Sequence, residues 1–190
     1  LNLYICNKKN TDYMPRKLLN NELNRLNTEE YKKSDKYPVV LILDNVRSQH
    51  NIGAAFRTGD AFRIEKICLC GICATPPSAD IHKSALGAEN TVEWQYYQNT
   101  LDAVMELKNN GYLVISIEQV EKSIMLNDFT PDKERKYALV FGNEVKGVLQ
   151  EVVDTSDYSI EIPQEGTKHS LNISVSVGVV LWDFIQKLKK

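Results

Sequence analysis

Six short runs of β-branched, aromatic and other apolar residues recur along the chain, and they limit its fold more than any other feature. The first, YPVVLILD (37–44), is apolar almost throughout, as expected of a strand buried on both faces of a sheet. The other runs lie at 64–72, 91–97, 112–118, 136–142 and 158–162. Helical patterns occur at 51–62, 100–111, 143–156 and 179–189. This alternation predicts an α/β fold with a mainly parallel sheet and helices on both faces.

Residues 170–178 fit two kinds of secondary structure. The stretch SLNISVSV alternates apolar and polar residues with period two, which is typical of a strand. The apolar residues of 179–189 follow helical spacing instead, and that face extends back to Val177 and Ile173. Periodicity alone predicts a helix for 179–189 and leaves 170–178 open.

Charge is distributed unevenly and suggests a small appendage before the main domain. The whole chain of 190 residues has a net charge of -2, yet residues 1–36 hold eight Lys or Arg against five Asp or Glu. We therefore expect residues 1–37 to form an N-terminal helical basic arm, with a helix start at Thr28, and residues 38–190 to form the main domain. The arm is interpreted either as a phosphate-binding segment or as a solvated surface helix.

Several functional classes lack their signatures. The first strand is followed by no G-x-G-x-x-G, and the chain contains neither the G-x-x-x-x-G-K-[ST] phosphate loop nor a G-x-S-x-G elbow. The three histidines have no metal-ligand spacing, and C-L-C-G-I-C (68–73) is interpreted as buried, reduced thiols, so no metal site is expected. Reduced thiols favour the cytoplasm. No apolar run approaches the ~20 residues of a membrane span, and the first residues lack a signal-peptide layout.

Polar groups gather where the predicted strands end. NVRSQHNIGAAFRT follows the first strand, Glu118 ends the fourth, GNEVKG follows the fifth and PQEGTKHSLN follows the sixth. Because ligands of parallel α/β sheets bind beyond the carboxyl ends of the strands, these loops predict the functional site. Either they are structural turns or their small residues let a ligand approach the backbone.

Three of these segments carry a family resemblance. NIGAAFRTGDAF, FGNEVKGV and IPQEGTKHSLNISVSVGV resemble, in order and spacing, the three motifs of the SpoU/TrmH family of RNA ribose 2′-O-methyltransferases in the SPOUT superfamily. The resemblance covers residues 38–188. It implies a C-terminal trefoil knot, S-adenosylmethionine as cofactor, tRNA or rRNA as substrate, and an obligate homodimer. It also implies that residues 170–178 are helical.

The resemblance assigns candidate residues one by one. The matching positions for cofactor binding are Ile117, Glu118, Gly142, Asn143, Ile162, Ser170 and Leu171. The matching positions for catalysis are Asn51, Arg57, Glu144, Ser170 and Asn172.

Each catalytic candidate has a physical interpretation beside a plainer one. A guanidinium stays protonated, so Arg57 is expected to position an RNA phosphate and the 2′-hydroxyl rather than act as a base. Asn51 is expected to orient Arg57, or else to cap a helix. Glu144 is expected to orient polar groups, or to lie in the first turn of a helix. Ser170 and Asn172 suit cofactor or ribose contacts, with capping as the alternative.

Two features bear on assembly and on departures from the family. The last helix carries Trp182 and Phe184 besides its core face, more apolar surface than one side needs, which fits a homodimer. Arg63 stands where the family usually has Gly.

Two other functions remain open: a non-catalytic RNA-binding or assembly factor that keeps the fold, and a base methyltransferase.

Overall fold

The computed structural model describes residues 16–189, except for the side chain of Asn20. The chain forms one seven-stranded sheet. The strands are β1 (Tyr37–Asp44), β2 (Ile64–Cys70), β3 (Glu93–Tyr97), β4 (Tyr112–Ile117), β5 (Ile124–Met125), β6 (Lys136–Phe141) and β7 (Tyr158–Glu161). Their order is β3-β2-β1-β6-β4-β7-β5, and all neighbours are parallel. The prediction of a mainly parallel α/β fold is confirmed.

Six α-helices accompany the sheet in the described residues. They are α1 (Thr28–Lys33), α2 (Gln49–Ala61), α3 (Ala79–Ala85), α4 (Thr100–Asn109), α5 (Gln150–Thr155) and α6 (Ile173–Lys189), with short 3-10 turns at Asn20–Glu22 and Ala88–Asn90. The sequence patterns did not predict α3 or β5. The predicted helix at 143–156 is wrong over its first half, because residues 143–147 close on themselves in a tight loop and the helix begins at Gln150.

The alternating side chains of β1 explain why its sequence is apolar throughout. Val39 and Leu41 face one core, shared with residues of α2, α3 and α6, whereas Val40 and Ile42 face the other, shared with residues of α4 and α5. All four are fully buried. Helices therefore cover both faces of this strand, which removes any need for polar residues along it.

Helix α6 begins at Ile173, so the expectation of helix over 170–178 is correct for 173–178 and wrong for 170–172. Asn172 caps the helix, because its Oδ1 accepts a hydrogen bond from the N–H of Ser174 at 2.8 Å. Its buried stripe includes Val177 and Phe184. The expectation that Phe184 adds to an outward apolar face is wrong: Phe184 is fully buried, and its ring stacks on Phe129 with centroids 5.5 Å apart.

Residues 16–36 are mostly exposed, but they are anchored to the core at one point. Asn27 and Glu30 form a capping box at the start of α1, and Tyr31 on that helix is only 4% exposed within the core. Within residues 16–36, helix is confined to Thr28–Lys33 and the 3-10 turn at Asn20–Glu22, so the expected helical arm is only partly present there. Residues 1–15 of the predicted arm lie outside the described residues.

The described cysteines are buried and unpaired. Cys68 and Cys70 lie on β2 facing the α4 side of the sheet, while Cys73 belongs to the opposite core. Burial raises the pKa of Cys73 to about 11. Within residues 16–189, no His, Cys, Asp and Glu side chains cluster in a way that would hold a metal ion. None of the helices in this range has the length and apolar character needed to cross a membrane.

Candidate functional site

A cavity of about 500 Å³ opens beyond the carboxyl ends of β4 and β6. Three segments, 117–119, 141–147 and 169–173, line it together with Ser176, and we refer to it as the strand-end cavity. Six of the predicted cofactor residues lie on its wall: Ile117, Glu118, Gly142, Asn143, Ser170 and Leu171. The seventh, Ile162, lines a smaller adjoining pocket that shares Ile117, Glu118, Ser170 and Leu171. The segments that follow β4, β6 and β7 converge as the strand-end argument predicts, whereas the segment that follows β1 contributes no residue to this wall.

The glycines of the cavity wall are required by the protein's own packing. A Cβ on Gly142 would overlap the backbone of Gly147 and Val148. Gly147 has a φ of +67°, and a Cβ there would overlap the carboxylate of Glu118. Glu118 in turn accepts a hydrogen bond from the N–H of Val148 at 2.9 Å. These residues therefore hold the loop closed, which shapes the cavity.

Glu144 is held by the segment that precedes and begins α2. Its Oε2 accepts the N–H of Arg47 at 3.1 Å, and its Oε1 accepts the N–H of Ser48 and the side-chain amide of Asn51, each at 3.1 Å. Ser48 is the N-cap of α2, so the carboxylate lies at the positive end of that helix. This clamp joins residues almost a hundred positions apart and fixes the first motif against the second.

The clamp keeps Glu144 ionised. Burial acts to raise the pKa of the Glu144 carboxyl, but hydrogen bonds from the N–H groups of Arg47 and Glu144 itself, from Asn51 and from Ser48 outweigh it, and the net pKa is lowered. A carboxylate with a lowered pKa and three donors is a weak proton acceptor. Its hydrogen bonds hold the start of α2 against the 143–147 loop.

Asn51 and Arg57 lie outside the wall of the strand-end cavity. The amide of Asn51 donates to Glu144, so in this structure it orients Glu144 rather than Arg57. Nor does Asn51 cap α2, because Ser48 does. Arg57 lies six residues further along the same helix and is exposed, and its guanidinium makes no hydrogen bond with another described residue. Its guanidinium is thus free to bind a phosphate.

Ser170 and Asn172 both line the cavity, but only Asn172 uses its side chain in a hydrogen bond within the described residues. Asn172 uses its Oδ1 to cap α6, accepting the N–H and the hydroxyl of Ser174 at 2.8 and 2.6 Å. The capping alternative thus applies to Asn172, while its amide nitrogen has no partner within residues 16–189. Ser170 is exposed and its hydroxyl has no partner in that range either. Both retain polar groups that a bound molecule can use.

Several residues of the site were not predicted from the sequence. His169 and Ser176 also line the strand-end cavity, and their positions within the third motif were the only local signal. Asp44 is fully buried at the end of β1. Its carboxylate accepts the hydroxyl of Thr100 at 2.6 Å and the N–H of Leu149 at 2.9 Å. Asp44 thus fixes the far end of the 143–149 segment, a role that no local pattern reveals.

Comparison with known proteins agrees with this geometry. The model of the SpoU rRNA Methylase family matches residues 38–182. A tRNA (guanosine(18)-2′-O)-methyltransferase of Aquifex aeolicus is 30% identical over 167 residues, covering 87% of this chain and 76% of the relative. A 23S rRNA (guanosine-2′-O-)-methyltransferase of Neisseria meningitidis is 33% identical over 144 residues, covering 76% of this chain and 56% of that protein.

A solved structure extends the likeness. The AdoMet-bound rRNA methyltransferase of Sinorhizobium meliloti superimposes with a TM-score of 0.71 at 25% identity, covering 82% of this chain and 58% of that one. The chain therefore spans only part of some of the proteins it resembles.

Proposed function

The chain belongs to the SpoU rRNA methylase family, and from this premise we propose that it transfers a methyl group from S-adenosylmethionine to a ribose 2′-hydroxyl of tRNA or rRNA. The observation that carries the proposal is the convergence of all three motif loops. Two of them line the strand-end cavity, and the first is clamped to the second through Glu144.

The residues of the cavity fit the cofactor. Its volume lies within the usual range for small-molecule sites. Ile117, Phe141 and Leu171 offer apolar contacts for a purine ring, while Glu118 and Ser170 offer polar groups for ribose and amino acid. We propose that these residues, with Gly142, Asn143 and Ile162, hold S-adenosylmethionine. When bound, it supplies a methyl group already activated by the adjoining sulfonium.

The protein's contribution is then alignment and proton handling. Arg57 presents a planar, permanently charged fork that holds an RNA phosphate beside the 2′-hydroxyl. Asn51 and Glu144 keep the start of α2 in place, so the helix that carries Arg57 keeps its position relative to the cavity. Ser170 and the amide nitrogen of Asn172 can bind ribose or cofactor. Positioning of this kind accounts for a large part of catalysis when the leaving group is already activated.

The activity is tested by methyl transfer from labelled S-adenosylmethionine to bulk tRNA and rRNA, followed by digestion to nucleosides. We expect label in 2′-O-methylated nucleosides. Label in a base identifies a base methyltransferase, and RNA binding without label identifies a non-catalytic binding factor. Calorimetric titration with S-adenosylhomocysteine checks the cofactor site separately.

Arg57→Ala tests the assigned mechanism. Arg57 is exposed and buries no core surface, so the variant should fold and bind cofactor normally while methylation slows by ~10²-fold or more. Arg57→Lys should rescue poorly, because a point charge does not replace a planar fork. Arg135→Ala is the matched control, since Arg135 is exposed at the opposite, amino end of β6. Near-normal single-turnover rates in Arg57→Ala would remove Arg57 from the mechanism.

We also propose that the protein is a homodimer through the outer face of α6. On α6, Val175, Val179 and Trp182 recur at helical spacing and are 49%, 38% and 59% exposed. They form a second apolar stripe on a helix whose other stripe is already in the core. Light scattering should give twice the chain mass of 21.6 kDa. Trp182→Glu should give monomers, and Met105→Glu, which changes an exposed apolar residue on α4, should not.

Three further parts of the proposal follow from the same premise. The C-terminal segment is threaded as the family's trefoil knot, in keeping with the meeting of segments 117–119, 141–147 and 169–173. The basic residues before β1 contact RNA phosphates, and residues 38–190 form the catalytic domain. The buried thiols suit a reducing compartment, so we place the protein in the cytoplasm.

A further inference from the structure

A second hollow shares the 143–147 loop with the strand-end cavity. It has a volume of about 560 Å³ and is lined by Asn45, Arg47, Ile72, Asn143, Val145, Lys146, Gly147 and Leu149. We refer to it as the Ile72–Val145 hollow. Asn143 and residues 145–147 line both spaces, so one tight loop forms a common wall. A molecule bound in the hollow therefore lies next to one bound in the strand-end cavity.

Two aliphatic side chains are held out into solvent on the hollow's wall. Ile72 is 63% exposed and Val145 is 77% exposed. The N–H of Ile72 donates to Oδ1 of Asn45 at 3.2 Å, and the N–H of Val145 donates to Oδ1 of Asn143 at 2.9 Å. Asn143 also donates to the carbonyl of Asn45 at 2.6 Å, which joins the two supports. The exposure of these apolar groups is thus built into a hydrogen-bonded framework.

Positive charge accompanies this apolar surface. Arg47 and Lys146 are exposed, and the described residues that line the hollow include no carboxylate. Glu144, which lies between Asn143 and Val145 in the chain, is not among the lining residues, and its carboxylate is hydrogen-bonded to the N–H groups of Arg47 and Ser48. Aliphatic walls beside two cations match the two parts of a nucleotide, an apolar base face and a phosphate.

We propose, resting on the proposed function, that the Ile72–Val145 hollow binds an unpaired nucleotide of the RNA next to the one that is methylated. The base lies against Ile72 and Val145, and its phosphate is held by Arg47 and Lys146. A neighbouring nucleotide held in this way fixes the ribose that enters the strand-end cavity across the common loop. The base must be unpaired because its faces are covered by neighbours in a duplex. The two cations favour RNA over a second apolar protein surface.

Binding of a fluorescently labelled hexaadenylate RNA tests the proposal, measured by anisotropy with saturating S-adenosylhomocysteine. Ile72→Ser combined with Val145→Ser should weaken binding by about five- to tenfold, with the salt dependence unchanged. Arg47→Gln combined with Lys146→Gln should weaken binding and reduce the slope of log K against log salt by about 0.7 for each phosphate that the variant no longer neutralises. The two pairs of substitutions therefore separate the base interaction from the phosphate interaction.

Matched controls lie elsewhere on the surface. Met105→Ser removes an exposed apolar side chain on α4, and Lys133→Gln removes an exposed cation before β6. Both should bind the hexamer as wild type does. Thermal melts of all variants check folding, which exposed substitutions should leave unchanged.

Three results would overturn the proposal: no hexamer binding by the wild type, equal binding by both hollow variants and the controls, or monomers formed by the Ile72→Ser, Val145→Ser protein. The last would identify the hollow as a contact between copies of the chain. These experiments distinguish failure of the proposed nucleotide site in the hollow from failure of the proposed methyltransferase activity. A wild type that methylates bulk RNA while the hollow variants bind normally overturns this inference alone, and a wild type that methylates none overturns the enzymatic proposal.

Discussion

Glu144→Gln probes the clamp between the first two motifs with a change of almost no volume. The carboxylate accepts three hydrogen bonds: Arg47 N–H at Oε2, and Ser48 N–H and the Asn51 amide at Oε1. The side-chain oxygen of the introduced glutamine can still accept the two hydrogen bonds made to Oε1, from the N–H of Ser48 and the amide of Asn51. Its amide nitrogen then faces the remaining donor, so one hydrogen bond is broken and the negative charge disappears.

The expected loss of stability follows from these hydrogen bonds. A hydrogen bond to a charged group contributes about 1.5–3 kcal/mol, and a negative charge at a helix N-terminus adds about 0.3–1 kcal/mol. Glu144 is exposed to solvent, which screens both contributions. We therefore expect the free energy of unfolding to fall by about 2 kcal/mol in Glu144→Gln at neutral pH.

The effect should depend on pH in one direction. The folded-state pKa of Glu144 is lowered from 4.5, so its stabilising contribution is complete above that unfolded value. The contribution is lost as the pH falls through the folded-state pKa, because the wild-type carboxyl then becomes neutral as well. The difference between wild type and variant should thus be constant near neutrality and shrink in acid.

Urea unfolding followed by tryptophan fluorescence measures this difference, at about pH 7 and then at successively lower pH into acid. Glu121→Gln is the control, because Glu121 is exposed and its carboxylate has no partner in the described part of the chain. Equal stability of wild type and Glu144→Gln at neutral pH would refute the clamp. A difference that stays constant into strong acid would show that altered shape, rather than the missing charge, is responsible.

Three other changes test the packing around the site by urea unfolding. Asp44→Ala removes the acceptor of three donors, the hydroxyl of Thr100, the N–H of Leu149 and the amide of Asn45, and should cost about 3–5 kcal/mol; a cost below about 1 kcal/mol would contradict the network. Gly142→Ala should cost about 1–3 kcal/mol through overlap with the loop backbone, whereas Gly166→Ala, which has open space, should be neutral. Phe184→Ala should lower the free energy of unfolding by about 3–5 kcal/mol, because it removes a buried ring. A stability comparable to wild type would show that Phe184 is not buried.

Local sequence was sufficient for most of the sheet. Continuous apolar runs such as YPVVLILD predict a strand covered on both faces, and β1 has that environment. The strand-end rule then placed the candidate loops together, because it depends only on parallel strands ending at one edge. Short elements were missed where the pattern is too brief to be periodic, as in α3 with its seven residues.

The sequence by itself determined which segments become strands, which loops hold the polar residues and which family the motifs resemble. Tertiary structure alone decided what those residues touch. Glu144 looked like a residue in the first turn of a helix, but its partners Arg47 and Ser48 lie almost a hundred positions away. From the sequence, Phe184 was predicted to lie on an outward face, but in the structure its ring stacks on that of Phe129. The physical reason is the same in both cases: periodicity reports only neighbours along one element, whereas hydrogen bonds and ring packing depend on elements brought together by the fold.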